Sequence, residues 1–308
     1  MLKDDKELYI VQDYTDRLID EIRGRIVGGP RTYGFEYEFI PDETITLEDM
    51  GKLYGFMPKC EFKPDGDCFI NASGVYITFE PGGQIEYHSP PLYAEDERGF
   101  KRVLEIIKKT NSGIKTKLGI NYIAKGYIPG REDVPLCLTS KRYQNLYKRL
   151  CKSGTRGREM MKGTASIHLH ACILSNNDLP LLFSLLKDMS VSEEFRMQPE
   201  RRDIWNNTDP SRCGLPYEGL NKNSESREVI EEFVKVALNA DILDENIPFY
   251  MKNNINFDAF LYHITTIFTD IRLNIKGPTL ELRTLDSMPP SSFELVWKKF
   301  IDLVEAIN

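Results

Sequence analysis

The chain has 308 residues, of which 41% are hydrophobic and 11% aromatic, enough to bury a sizeable core. Its net charge of −7 argues against a nucleic-acid partner, because such a partner requires a basic surface that neutralises phosphates. No apolar run approaches the roughly 18 residues that a membrane span requires. The start, MLKDDKELYIVQDY, lacks the pattern of a signal peptide, so we expect a cytoplasmic protein with no membrane partner.

Six cysteines are scattered along the chain without the close pairs that are typical of zinc sites, so free thiols are expected. Neither repeats nor low-complexity tracts divide the sequence, and we predict one domain over residues 1–308 with an N-terminal helical segment at 1–28. Residues 199–224 are rich in Asn, Pro, Arg and Gly and predict a long loop of the kind that often carries function.

Hydrophobic periodicity predicts a mixture of helices and short strands. In chain order these are a helix at 11–27, strands at 32–40, 73–80 and 83–89, a helix at 96–110, a strand at 119–128, a helix at 140–152, a strand at 163–173, helices at 177–190, 224–239 and 256–270, strands at 270–276 and 279–286, and a helix at 292–306. Strands and helices do not alternate regularly, which favours an α+β fold with an antiparallel sheet over a doubly wound parallel one.

Four of these strands carry polar or ionisable side chains at alternate positions, which places them on one face of the sheet. They are Glu36 and Glu38; Gln84, Glu86 and His88; His168 and His170; and Glu281 and Arg283. One such pair alone is typical of a solvated outer face. Four strands with acids, histidines and an arginine, rather than the usual Lys, Ser and Thr, predict a shared site.

Several carboxylates can remain ionised in one site only if cations lie between them. Oxygen ligands with few imidazoles favour Mg²⁺ or Mn²⁺ over zinc. Because Mg²⁺ usually binds together with phosphates, the pattern predicts ATP and a position for Arg283 close to the transferred phosphate. The order of residues in a Walker loop is absent, so the nucleotide must be bound in another way.

The segments GFEYEF, ITFEPGGQIEYHSPP, REMMKGTASIHLH, RRDIWNNTDPSRCGLP and TLELRTLD resemble, in order, blocks of the glutamate-cysteine ligase family of the plant and bacterial carboxylate-amine ligase type. That family is related to glutamine synthetase, and the resemblance runs from about residue 30 to 290. It implies a curved, mostly antiparallel sheet of about six strands with helices packed on one face. It also implies an enzyme that activates glutamate with ATP as an acyl phosphate, which an amine then converts to an amide.

The resemblance also implies roles for individual residues. The metal ligands would be Glu36, Glu38, Glu80, Glu86, His168 and Glu281; the catalytic residues Arg283, Glu38 and Glu86; the cofactor-binding residues His170, Arg283 and Lys162; and the substrate-binding residues Arg212, Gln84 and Arg201. The loop at 199–224 would lie on the substrate side. Gly82 and Gly83 would let the backbone turn so that Glu80 and Glu86 both face the metal.

The identity of the substrates stays open. The product implied by the resemblance is γ-glutamylcysteine, made from glutamate and L-cysteine. However, Gly163 stands where related plant enzymes carry an arginine, with Lys162 one residue earlier. A ligase for another amino-acid pair in a specialised pathway, or a non-catalytic protein that binds an amino acid or nucleotide, are therefore the alternatives.

Overall fold

The computed structural model describes residues 3–307, so the first two residues of the predicted segment 1–28 lie outside the described residues. The helices of the described chain are α1 (Lys3–Arg25), α2 (Leu47–Phe56), α3 (Glu97–Leu118), α4 (Lys141–Ser153), α5 (Gly157–Gly163), α6 (Leu179–Val191), α7 (Pro199–Asn206), α8 (Ser226–Asn239), α9 (Phe257–Ile264) and α10 (Pro290–Glu305). The strands are β1 (Thr32–Pro41), β2 (Lys63–Asp65), β3 (Cys68–Ile70), β4 (Tyr76–Phe79), β5 (Ile85–His88), β6 (Leu92–Tyr93), β7 (Tyr122–Ile123), β8 (Ser166–Cys172), β9 (Cys213–Gly214), β10 (Phe268–Thr269), β11 (Ile271–Asn274) and β12 (Thr279–Asp286).

One large antiparallel sheet organises the fold, which confirms the predicted α+β class. Eight strands follow the order β11-β12-β8-β1-β5-β4-β3-β2, and β6 and β7 pair with β1. The sheet thus has ten strands rather than about six, because short strands of two or three residues extend it. A separate pair, β9 with β10, is parallel.

The apolar face of the central strand β1 packs against α3 and α10. The ring of Phe35 lies 5.7 Å from that of Phe100 on α3 and 5.1 and 5.3 Å from those of Phe293 and Trp297 on α10. These edge-to-face contacts add to the burial of large aromatic surfaces. The helices therefore cover one face of β1 and leave its alternate side chains, Glu36 among them, to the other face.

Each of the seven predicted helices is present, and three further helices were missed. At the first of these, α2, Thr46 forms a capping box with Asp49: Thr46 Oγ1 accepts from the Asp49 amide at 3.2 Å, and Asp49 Oδ2 accepts from the Thr46 amide at 3.0 Å. The sequence shows this capping box as the pattern T-x-x-D before an apolar run. The third, α7, begins at Pro199 and lies inside the segment that was predicted as loop 199–224.

Two predicted boundaries were wrong for identifiable reasons. The segment 199–224 was predicted as a loop partly because of its prolines. Proline is compatible with the first turn of a helix, where its missing amide donor is not needed, and Pro199 begins α7. In the helix predicted at 256–270, α9 ends at Ile264 and β10 follows. There the hydroxyls of Thr265 and Thr266 donate to the carbonyls of Tyr262 and His263 at 2.7 Å each, a side-chain bond that competes with helical bonding.

Within residues 3–307, none of the helices combines the length and the apolar character that crossing a bilayer requires. The six cysteines all lie in this part of the chain and are free thiols. Buried hydrophobic side chains from both ends of the sheet and from most helices belong to one continuous core. The single domain over residues 1–308 stays a prediction.

His263 is a titratable group inside that core. Its ring stacks on Phe249 with 4.8 Å between centroids, and Nε2 lies 2.9 Å from the carbonyl oxygen of Ala237. Burial, together with the positive charge of Arg212, lowers the pKa of His263 to about 4. The folded protein therefore keeps this ring neutral at pH values where the unfolded chain protonates it.

We expect the free energy of unfolding to fall as the pH drops from about 6.5 towards 4, by up to about 3 kcal/mol from this residue, since the unfolded state binds the proton more strongly. His263→Gln should flatten that part of the pH profile in denaturant titrations. Phe293→Leu is the matched control, because this buried side chain packs on Phe35 of β1 and Phe100 of α3 rather than on His263, so the change should lower stability at every pH and leave the slope unchanged. Equal slopes in all three proteins would contradict the assignment.

Candidate functional site

The register of the sheet brings acids and histidines from different strands together. On β1, Glu36 lies opposite His88 of β5 on one side and opposite His168 of β8 on the other. Two residues along, Glu38 lies opposite Glu86 of β5. Directly opposed residues on one face of an antiparallel pair have neighbouring side chains. The alternate polar side chains of the separate strands therefore form one surface in the folded sheet.

Three further residues complete this surface. Glu281 of β12 lies opposite His170 of β8, and Glu80, which follows β4, lines the same cavity as Glu38 and Glu86. We call the whole set the acid–imidazole cluster: Glu36, Glu38, Glu80, Glu86, Glu281, His88, His168 and His170. Its members are buried or nearly so, so the interpretation as a solvated outer face does not apply.

Glu36 is at the centre of the cluster. Its Oε2 lies 2.5 Å from His168 Nδ1, and its Oε1 lies 3.5 Å from both His88 Nδ1 and His170 Nε2. Burial alone would raise the pKa of this carboxyl group, but the three imidazoles outweigh it and lower the pKa well below its usual value. His88 Nδ1 and His170 Nε2 are buried, and neither has a hydrogen-bond partner among residues 3–307.

Two arginines bind the carboxylate of Glu281. Arg272 donates from Nε to Oε2 at 2.8 Å, and Arg283 donates from Nη1 to Oε1. Although burial acts in the opposite direction, these guanidiniums lower the pKa of Glu281 to about 2. Glu281 Oε1, the oxygen that Arg283 binds, also lies 3.4 Å from His168 Nδ1. Glu281 is therefore ionised and links the arginines to the imidazoles.

Ionisation of all five glutamates would give the cluster more negative charge than the fold neutralises. Burial and the charge of Glu86 raise the pKa of Glu38 to about 8. Burial, Glu86 and Glu38 raise the pKa of Glu80 well above its usual value. For His88, burial opposes protonation, but Glu86 and Glu36 raise its pKa to about 10. Five glutamates thus share one site with Arg272, Arg283 and one protonated ring, an imbalance that bound divalent cations would correct.

The donor atoms also suit a divalent cation in their spacing. In three groups the candidate ligand atoms lie within 4.8 Å of one another. The groups are Glu36, Glu86 and His88; Glu36, His170 and Glu281; and Glu38, Glu86 and His168. Carboxylate oxygens predominate in each group, which favours Mg²⁺ or Mn²⁺ over zinc. The residues present therefore fit the predicted metal, and the unpartnered ring nitrogen of His170 is available to bind it.

A cavity of about 240 Å³ opens onto the cluster. One part of its lining is acidic and includes Glu36, Glu38, Glu80 and Glu86, with His168 and Arg283. Another part is apolar and includes Leu146, Met160, Trp205 and Phe268. Arg142 of α4 and Arg272 of β11 also line it. The cavity therefore combines a charged region, where a phosphate and metal ions could bind, with an apolar region.

The predicted turn at Gly82 and Gly83 is present and is held against α5. Gly83 donates to the carbonyl of Glu80 at 2.8 Å and has φ +83°, in the left-handed region that favours glycine. A Cβ atom on Gly82 would lie 2.5 Å from the carbonyl oxygen of Lys162. Backbone contact this close requires glycine, and it fixes the position of Glu80 relative to α5.

Gln84 fastens the same turn to the segment that follows α5. Its Oε1 accepts from the Gly82 amide at 2.9 Å, and its Nε2 donates to the carbonyls of Thr164 at 2.9 Å and Met161 at 3.3 Å. Gln84 lines the cavity, but its amide group is bound to the backbone. Its predicted contact with substrate stays a prediction.

Three other predicted binding residues do not line the cavity: Arg201, Arg212 and Lys162. Arg212 is fully buried and donates to Asp209 Oδ2 at 2.8 Å and Thr266 Oγ1 at 2.9 Å. Arg201 donates to Asp286 Oδ1 at 2.7 Å and to backbone carbonyls of β12. Both guanidiniums bind segments of the protein to each other, so this geometry gives a substrate role no support.

Lys162, predicted to bind the cofactor, also points elsewhere. Its ammonium group donates to the carbonyls of Glu132 and Val134, the second at 3.0 Å. Only 2% of the residue is exposed, and burial lowers the pKa of its ammonium group. Lys162 therefore holds the segment 132–134 close to α5, and a role in cofactor binding finds no support in these contacts.

Three side chains at the site received no role from the sequence. His88 was placed on the polar face of its strand with Gln84 and Glu86 but was given no role, although that alternation was the signal that could have assigned one. Arg272 lies opposite Glu281 in the β11–β12 register, which a sequence does not reveal. Arg142 is on α4, far from every matched segment, and had no signal.

The geometry defines a class of site: a buried cluster of acids and imidazoles on an antiparallel sheet, with donor atoms spaced so that they could hold a metal ion. The sequence model of glutamate-cysteine ligase family 2 (GCS2) matches residues 32–190. The chain belongs to this family. No curated protein matches the sequence.

Among solved structures, the chain is similar to one described as the crystal structure of a novel glutamine synthase homolog. The two share 12% sequence identity with a TM-score of 0.36, over 96% of this chain and 58% of that one. This chain therefore spans little more than half the length of that protein.

Replacing Gly82 tests the contact between the turn and α5. Gly82→Ala should lower the melting temperature by several degrees, because the new methyl group overlaps backbone atoms that cannot rotate away. Gly51→Ala is the matched control, since nothing lies within 4 Å of its added Cβ on the exposed side of α2; it should be neutral or slightly stabilising. Equal melting temperatures for Gly82→Ala and the wild type would refute the close contact.

Removing one carboxylate tests whether the cluster is a cation site. In EDTA, Glu38→Gln should melt higher than the wild type, because it removes an acid that must either take up a proton or bury its charge when the chain folds. The amide oxygen of Gln can still accept from the Ser166 amide, which binds Glu38 at 2.7 Å. Addition of Mg²⁺ or Mn²⁺ should stabilise the wild type strongly and the variant much less.

The matched control for this comparison is Glu43→Gln, an exposed glutamate close to β1. It should respond to both conditions like the wild type. Calorimetric titration with Mn²⁺ would measure the same difference directly. An undiminished metal response in Glu38→Gln would rule out Glu38 as a ligand.

Proposed function

We propose that this protein is an ATP-dependent ligase that joins a carboxylate to an amine through an acyl phosphate. Glutamate as acyl donor and L-cysteine as amine substrate, giving γ-glutamylcysteine, is the first pair to test. Family membership supports the reaction class. The pair itself comes from the resemblance of the motifs.

The observation that carries the proposal is the buried excess of carboxylates at the mouth of a cavity. A buried site with this many acids is unstable when all of them are ionised, so its natural partners are cations. Mg²⁺ is bound in enzymes by one or two carboxylates together with substrate phosphates. Divalent cations that bind both the cluster and the phosphates of a nucleoside triphosphate would therefore complete the charge balance of the site.

The reaction requires two negatively charged groups, the donor carboxylate and the γ-phosphate of ATP, to approach each other. A side-chain carboxylate of the donor attacks the γ-phosphorus of ATP, and the bond from that phosphorus to the ADP oxygen breaks. The amine then attacks the acyl carbon, the bond from that carbon to the phosphate oxygen breaks, and inorganic phosphate and one proton are released. Both attacks need neutralisation of negative charge and alignment of the reactants.

Individual residues can meet these needs. Glu36, Glu38, Glu80, Glu86, Glu281 and His168 would hold Mg²⁺ or Mn²⁺, which supplies positive charge between the phosphates and the attacking carboxylate. Arg283 lines the cavity, with Nη1 anchored on Glu281 and a buried Nε that has no hydrogen-bond partner in the described chain. Its guanidinium can stabilise the charge on the transferred phosphoryl group. His170 is available beside Glu36 for a metal or nucleotide contact.

Phosphate release with ATP and Mg²⁺ tests the proposal. The wild type should release phosphate only when a suitable acid and amine are both present, beginning with glutamate and L-cysteine and extending to other amino-acid pairs. Glu38→Gln should reduce turnover at least 100-fold, because the loss of a metal-binding carboxylate lowers the affinity for the ion. Its circular dichroism spectrum should match that of the wild type.

Glu43→Gln again provides the control and should retain full turnover. Normal turnover by Glu38→Gln would show that the metal assignment is wrong. Absence of phosphate release with every pair, in a protein that still binds ATP or amino acids in calorimetry, would identify a non-catalytic binding protein instead.

A further inference from the structure

Arg142 differs from the other arginines of the cavity in its partners. It donates from Nη1 to Thr265 Oγ1 at 2.9 Å and from Nη2 to the Thr265 carbonyl at 3.2 Å, and its guanidinium lies 5.3 Å from the ring centre of Tyr262. All of these partners are neutral. Among the described residues, no carboxylate lies within the 4.0 Å of an ion pair with Arg142, whereas Arg272 and Arg283 both bind Glu281.

This arrangement leaves a positive charge oriented but not compensated. Two hydrogen bonds and a ring contact fix the plane of the guanidinium before any ligand arrives, so little conformational entropy is lost on binding. A guanidinium has five donors, and Arg142 uses two of them within the protein. The remaining donors can bind a carboxylate in the two-point geometry that suits this pair of groups.

Apolar side chains lie beside Arg142 in the same cavity. Leu146 is four residues further along α4, on the same face of the helix. Met160 and Phe268 pack both against the buried group that contains Leu146 and against the one that contains Trp205. We call Leu146, Met160, Trp205 and Phe268 the apolar wall. Trp205 is held in place by a hydrogen bond of 2.9 Å from Nε1 to the Phe268 carbonyl.

We propose that Arg142 binds the α-carboxylate of the amine substrate, and that the apolar wall holds its side chain. The amine substrate is then an α-amino acid with an apolar side chain, with L-cysteine as the smallest candidate and L-methionine or L-leucine as larger ones. A charged side chain would lose its hydration against the wall without gaining a partner. This inference rests on the proposed ligase function for the reaction, but the binding site itself can be measured without turnover.

The test pairs a change in the protein with a change in the ligand. Calorimetry with ATP and Mg²⁺ present compares L-methionine with L-methioninol, which lacks the carboxylate, in the wild type and in Arg142→Met. The wild type should bind L-methionine about 10- to 100-fold more tightly than L-methioninol, the usual contribution of a hydrogen-bonded charge pair. Arg142→Met should bind both equally weakly, and Arg142→Lys should recover part of the difference.

Lys141→Met is the matched control, because it removes one positive charge from the neighbouring position, which does not line this cavity. Its affinities should stay within twofold of the wild type. Where turnover is measurable, Arg142→Met should raise the KM for the amino acid by the same factor and leave the KM for ATP within twofold. Met160→Ala should shift the preference from L-cysteine towards L-methionine and L-leucine.

The outcomes separate this inference from the ligase proposal. If L-cysteine, L-methionine and L-leucine all fail to bind the wild type, or if Arg142→Met leaves their affinities within twofold, Arg142 is not the carboxylate site, even in an active ligase. If binding depends on Arg142 but no pair releases phosphate, the site stands and the ligase reaction is wrong.

Discussion

The confinement of many carboxylates to one buried face of a sheet is the constraint on which this structure depends. The opposite face of β1 packs aromatic side chains against α3 and α10, so the strand cannot slip by one residue without exchanging the two faces. The aromatic core therefore fixes the register that gathers the acids. An ionised carboxylate in such a place is unfavourable unless it is paired, and the site is thus built to be completed by cations.

The fold corrects part of this imbalance through its own groups and leaves part of it. Arg272 and Arg283 keep Glu281 ionised, and the imidazoles do the same for Glu36. Glu38 and Glu80 have no such partner and hold their protons more strongly. In one half of the cluster, around Glu281, positively charged side chains neutralise the carboxylates. In the second half, which contains Glu38 and Glu80, the carboxyl groups have no neutralising partner. The cavity opens onto that second half, which is where metal ions and phosphates would be needed.

The arginines illustrate how the same residue type takes different roles. Arg201 and Arg212 are so deeply buried that their donors bind carboxylates and carbonyls of the protein, and they hold α7 and the segment after it against β12 and α9. Arg142 is only partly buried and has neutral partners. A sequence shows all three as arginines, whereas the pairing of each guanidinium decides whether its charge is available to a ligand.

Much of this protein could be read from the sequence, because period-two alternation and local helix patterns are properties of neighbouring residues. They placed Glu36, Glu38, His168 and Glu281 on their strands, and matched motifs pointed to a family that the comparison confirmed. Register, by contrast, depends on which strands pair and on the core behind them. Only the tertiary structure therefore decided that His88 lies against Glu36, that Arg272 binds Glu281, and that Arg142 rather than Arg212 faces the cavity.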